Sequence, residues 1–252
     1  MIKIKDFINR LHEQEKVLPF MHNIPETSFL FMLEKDREIH KSHCNVLDED
    51  LTYYFYGKPS YIINTHNDGD CGDFYAPVCL ILNPEKINMY RVFPFDSVGY
   101  AHDMFNANRY SPFGLDDFEL DNAVSSITSY VCTFFGNNER YYIGNVKKDI
   151  IVSPDEKIVR CLLNIVESNR DDERSRTIEI SSKDNCDLGE AVIGIILPDE
   201  LMVVDEIRNL IVDKWQIPYF TYACFRSMTI REYTACLLQI AYKFLKSNGY
   251  FI

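Results

Sequence analysis

Apolar positions at Ile4, Phe7, Ile8 and Leu11 recur at helical spacing, which predicts an amphipathic helix up to about residue 15. "VLPFMH" (17–22) then reads as a short strand ending at His22. "PETSFLFMLEKDREI" (25–39) reads as a helix with Pro25 near its first turn. "LTYYFYG" (51–57) and "SYIINT" (60–65) predict strands on either side of a Gly-Lys-Pro turn. "THNDGDCGD" (65–73) is loop by every local signal. "APVCLIL" (76–82) and "INMYRVF" (87–93) predict two more strands, joined by "NPEK" as a hairpin turn.

Helical spacing returns at Ala123, Val124, Ile127, Tyr130, Val131 and Phe134. "FFGNNERYYIGNV" (134–146) breaks it at Gly136 and reads as a return to strand. "SPDEKIVRCLLNIV" (153–166) opens with a capping box: Ser153 caps, Pro154 takes the first helical position and Glu156 reaches back. A charged loop, "ESNRDDERS", leads into "RSRTIEISS" (174–182), where Ile178 and Ile180 alternate with Thr177, Glu179 and Ser181. "EAVIGIILP" (190–198) is the next strand, a helix falls within residues 199–215, and the last helix starts near Thr229 and ends at Gly249. Helices and strands mix without regular βαβ alternation. The expectation is a single α+β domain over residues 1–252, with a mainly antiparallel sheet core and flanking helices.

Composition narrows the function classes. A formal charge of −12 argues against strong non-specific binding to nucleic acid or an anionic membrane, because both need clustered Lys and Arg. The apolar runs are too short to cross a bilayer, and "MIKIKDFINRLHEQEK" has no signal-peptide core. The eight cysteines show no CxxC pairing and read as reduced, packed thiols. Together these predict a cytoplasmic location.

Candidate chemistry is sparse. His40, His43 and Cys44 lie close together, and "HNDGDCGD" offers His66, Asp68, Asp70, Cys71 and Asp73, but neither zinc spacing nor a calcium loop is completed, so no metal is expected. GxSxG, GxGxxG and GxxxxGK[ST] are all absent. What remains is an order of residues: a His after an early strand, tyrosines on the next one, and a carboxylate in the middle of a late strand. Glu179 is preferred as that acid over Glu190, which sits in the turn-like "DLGE".

"FMHNIPETSFLFMLEKDREI" followed by "LTYYFYGKPSY" resembles the opening of ADP-ribosyltransferase-like domains, especially the DNA-modifying DarT-like toxins. The resemblance covers about the first 60 residues plus residues 170–212. It implies an ADP-ribosyltransferase-like fold and an enzyme that breaks the nicotinamide–ribose bond of NAD, as a transferase or an NAD hydrolase. It further implies catalytic roles for Glu179 as the acid, His22 as the ribose holder and Tyr54 as a stacking ring. Tyr56 would be an alternative ring, and Arg174 and Arg176 would meet the pyrophosphate. Such a bond cleavage develops oxocarbenium-like charge that a carboxylate stabilises. NAD is then the partner, with an acceptor macromolecule the sequence does not identify. The chain departs from the pattern at Ile24, where many relatives carry Ser or Thr two residues after the His. That departure and the abundant aromatics motivate the alternative of a non-catalytic cytosolic binding or sensor module. On either reading Glu179, His22 and Tyr54 or Tyr56 are expected to converge on one cleft.

Overall fold

The structure is a computed structural model that describes residues 2–9, 15–60, 76–105, 112–168, 172–225 and 227–251. Its strands are β1 (Phe20–Pro25), β2 (Glu38–Ile39), β3 (Ser42–Cys44), β4 (Glu49–Tyr56), β5 (Pro77–Leu82), β6 (Arg91–Phe93), β7 (Glu179–Ser182), β8 (Cys186–Asp187), β9 (Val192–Pro198) and β10 (Tyr219–Tyr222). Its α-helices are α1 (Ile4–Ile8), α2 (Glu26–Lys35), α3 (Ser97–Ala101), α4 (Leu115–Phe118), α5 (Val124–Phe134), α6 (Asn138–Tyr142), α7 (Lys157–Ser168), α8 (Leu188–Ala191), α9 (Asp205–Asn209) and α10 (Ile230–Ser247). The main sheet runs β10-β9-β5-β1-β4-β7-β6, with β3 also against β4, and β2 pairs with β8 separately. Every pair is antiparallel except β9 with β10. The α+β class with a mainly antiparallel sheet is therefore present.

Both faces of the sheet are covered at its centre. Val78, Cys79, Leu80, Ile81 and Leu82 of β5 are consecutive and all fully buried, which a strand with one wet face cannot achieve. Register sorts the two faces. Directly opposed residues of an antiparallel pair share a face. Phe20 opposes Tyr56, Tyr54 opposes Ile180 and Val92 opposes Ile180, so Phe20, His22, Tyr54, Tyr56, Ile180 and Val92 share one face. Met21 opposes Phe55, Phe55 opposes Glu179 and Phe93 opposes Glu179, which puts Met21, Tyr53, Phe55, Phe93, Glu179 and Ser181 on the other.

Several sequence expectations need correction. His22 lies in the middle of β1, because the strand continues to Pro25 against the whole length of β5. β5 and β6 form no hairpin: Asn83 caps a short 3₁₀ turn at Pro84–Lys86, and β1, β4 and β7 separate the two strands. Residues 134–146 hold α6 instead of a strand. Gly136, at φ 92°, ends α5, and the Asn137 side chain caps the new helix by accepting from Arg140 N–H at 2.8 Å. α7 begins at Lys157, after the expected Ser153 cap, although the Glu156 carboxylate does accept from Ser153 N–H at 2.8 Å. "SYIINT" beyond Ser60 and all of "THNDGDCGD" lie outside the described residues. Thr229 and Glu232 form the expected capping box of α10. Among the described residues no helix is long and apolar enough to cross a membrane.

Candidate functional site

Glu179 stands neither in solvent nor in an open pocket. It is 3% exposed, enclosed by the start of α3. Ser97 donates to it twice, from its hydroxyl to Oε1 at 2.6 Å and from its backbone N–H to Oε2 at 3.2 Å. Burial pushes the Glu179 carboxyl well above the usual range. The Asp96 charge adds to this, and the Ser97 hydrogen bonds oppose it. Asp96 is raised too, first by burial, although Gly99 N–H donates to its Oδ1 at 2.7 Å. Burial thus shifts both carboxyls upward from the ordinary carboxylate range. Asp96 N–H donates to the Arg174 carbonyl at 3.0 Å, which ties the pair to the turn preceding β7.

Register separates the remaining expected residues from this acid. His22, Tyr54 and Tyr56 lie on the opposite face, so the expected convergence with Glu179 is absent. Strand alternation is the cause, since Tyr54 opposes Ile180 and not Glu179. Tyr54 and Tyr56 are fully buried and present no open ring for stacking. The Tyr56 ring packs 5.8 Å from Tyr141 and 6.3 Å from Phe20, and its oxygen accepts from Leu18 N–H at 3.0 Å. His22 is partly buried, with Nδ1 2.8 Å from the Tyr53 carbonyl. Burial lowers its pKa, against the effect of that hydrogen bond, and a neutral ring donates from Nδ1. The tyrosine on the Glu179 face is Tyr53. Its hydroxyl is buried without a hydrogen-bond partner among the described residues, and burial is the first cause of its raised pKa. Glu190, the rival acid, is exposed and 3.9 Å from Lys86.

The two arginines are held by their own turn. Asp172 caps the 3₁₀ segment Glu173–Arg176 and grips Arg174 with both oxygens, Nε at 3.0 Å from Oδ1 and the terminal nitrogen at 2.7 Å from Oδ2. Glu173 meets two cations, the Arg176 guanidinium at 2.8 Å and Lys58 Nζ at 3.1 Å. Lys58 is fully buried, 4.7 Å from the centre of the Tyr141 ring. Burial brings its pKa down to about 8, with Glu173 opposing the fall. For Glu173, burial acts upward, but Lys58 and Arg176 outweigh it and hold the carboxyl below its ordinary value.

Arg176 also reaches a cavity of about 1440 Å³ between α7 and residues 143–148. Phe105, Phe113, Ile143, Val146, Cys161 and Ile165 give it an apolar lining. Gly144, at φ 70°, lies against Arg176: a Cβ there would be 2.9 Å from Cδ and Nε of the guanidinium arm. The sequence marks Asp96-Ser97 in "RVFPFDSVGY" as turn-forming, a pocket rim or a tight corner, but gives no sign of the hold of Ser97 on Glu179. Reading by motif missed Lys58 and this cavity. The helical stripe of Lys157, Arg160 and Asn164 was visible in the sequence; the surface facing it was not.

His40 and His43 are each engaged by nearby carboxylates, His40 with Asp36 at 2.9 Å and His43 with Asp50 at 3.2 Å. Among the described residues no group of three or more His, Cys, Asp or Glu is placed to hold a metal ion. The seven described cysteines are free thiols. Comparison with protein-family models, curated proteins and solved structures finds no match to the chain.

Proposed function

We propose that the protein is a binding module for a small organic molecule, held in the cavity between α7 and residues 143–148. The observation that carries this reading is the cavity itself. Its volume of about 1440 Å³ is ample for a metabolite, and its lining combines apolar side chains with polar and charged ones. The residues expected to form a catalytic cleft are divided between two faces of a sheet buried on both sides. Thermal shift and calorimetry against a metabolite panel that includes NAD test the proposal. A ligand should raise the melting temperature of the parent chain and fail to do so for Asn164→Trp, which fills the cavity from an exposed helical position. A ligand that binds both proteins equally would overturn this placement.

NAD-dependent ADP-ribosyl transfer, or NAD hydrolysis, is the second reading. The placement of Arg176 favours it: the side chain expected to meet a pyrophosphate lines this cavity, three residues before Glu179. Release of nicotinamide from NAD by the pure protein, lost in Glu179→Gln, would establish it. No release, alone or with cell extract, would reject it.

A further inference from the structure

The charge of the cavity runs against that of the chain. Lys148, Lys157, Arg160 and Arg176 line it, against Glu167 as the one carboxylate among the described lining residues, in a protein of net charge −12. Asp149, Asp155 and Glu156 belong to the same stretch and are not among the lining residues. Arg176 is matched by Glu173 at 2.8 Å. Lys148, Lys157 and Arg160 are exposed and form no ion pair among the described residues. Lys157 and Arg160 are three apart on α7 and share a face, continued by Asn164 and Glu167. The cations therefore gather at the N-terminal end of that face, where the helix dipole has the same sign. Glu167 is ten residues further on, about 15 Å along the axis at 1.5 Å per residue.

We propose that this cavity takes a small phosphorylated molecule of the nucleoside diphosphate kind, its phosphates held by Lys148, Lys157 and Arg160. The inference rests on the binding-module reading and names the class of its ligand. Three cations without an ion pair among the described residues suit a compact polyanion, and the partly exposed Phe113 in the lining suits a flat ring. A nucleic-acid strand fits less well, since its many phosphates would meet the surrounding negative charge.

The test is calorimetric titration of the full chain with ADP, inorganic pyrophosphate and adenosine, at low and at physiological salt. Lys157→Gln/Arg160→Gln and Asn164→Trp are titrated beside the parent chain. Both glutamine changes are at exposed positions, and each melting temperature is recorded to show that the fold is kept. ADP and pyrophosphate should bind, adenosine at least tenfold more weakly than ADP, and the double variant should lose at least tenfold in ADP affinity. Raising the salt should weaken ADP binding. Equal affinity for ADP and adenosine, or an unchanged double variant, would overturn the phosphate assignment. Binding of adenosine that Asn164→Trp abolishes and the double variant keeps would overturn it while leaving the binding module standing. A complete absence of binding by ADP and pyrophosphate would overturn it as well, and the metabolite panel then decides the binding module separately.

Discussion

Ser97 holds both oxygens of Glu179, one through its hydroxyl at 2.6 Å and the other through its backbone N–H at 3.2 Å. The contact fastens the first turn of α3 onto the face of the sheet that bears Glu179. Because the carboxyl is buried and its pKa raised, the native state keeps a proton there that the unfolded chain loses near 4.5. Its stabilising contribution is thus complete below about pH 4.5 and is lost as pH rises through the elevated native value. Glu179→Gln cannot ionise and keeps partners for Ser97. Urea melts at stepped pH should show the variant gaining on the parent as pH rises. A difference independent of pH would refute the assignment.

Tyr141 closes the ladder where β4 and β7 part. Its hydroxyl donates to the Tyr56 carbonyl at 3.0 Å and accepts from Ile178 N–H at 3.0 Å. Tyr141→Phe leaves both buried backbone groups unpaired, so the expected loss is about 2 kcal/mol or more, measured by chemical denaturation.

Glu173 has two cations to answer, one of them fully buried. Glu173→Gln should cost about 3 kcal/mol near neutral pH, since it strands Lys58 in the core. The loss should shrink above pH 8, where a lysine with a pKa of about 8 releases its proton. Lys58→Met should cost less, because Glu173 is partly exposed and keeps Arg176.

Gly144→Ala imposes a positive φ on a residue with a side chain and drives its Cβ to 2.9 Å from the Arg176 arm. A destabilisation of about 1–2 kcal/mol follows, together with weaker ligand binding in the adjoining cavity. Paired melting and binding curves read both effects.

Local pattern made much of the fold legible. The alternation in β4 and β7, the apolar run of β9 and the Thr229–Glu232 box all lie in short stretches whose structure their own residues decide. What escaped depends on partners distant in the chain. The alternation around Glu179 correctly put Ser181 on its face, but nothing local reveals that α3 covers that side, or that Tyr54 and Tyr56 face away from it. Residues 134–146 are rich in aromatics and read as strand. Tertiary packing of Tyr141 and Tyr142, with Asn137 as cap, makes them a helix instead. The cations around the cavity were individually plain, yet Lys148 joins Lys157 and Arg160 only after the chain has turned back.

The strand order also dictates a sequence of assembly. β6 is complete at Phe93, yet the strand it pairs with is β7, which begins at Glu179. β4 waits for the same partner across more than a hundred residues. During synthesis β1, β3, β4 and β5 can pair with one another early. But β6 and one edge of β4 stay open until β7 emerges, so the sheet is completed only after most of the chain has left the ribosome. Slow folding and a need for shielding of nascent β4 and β6 are built into this topology, and β7 is the late-arriving strand that joins them.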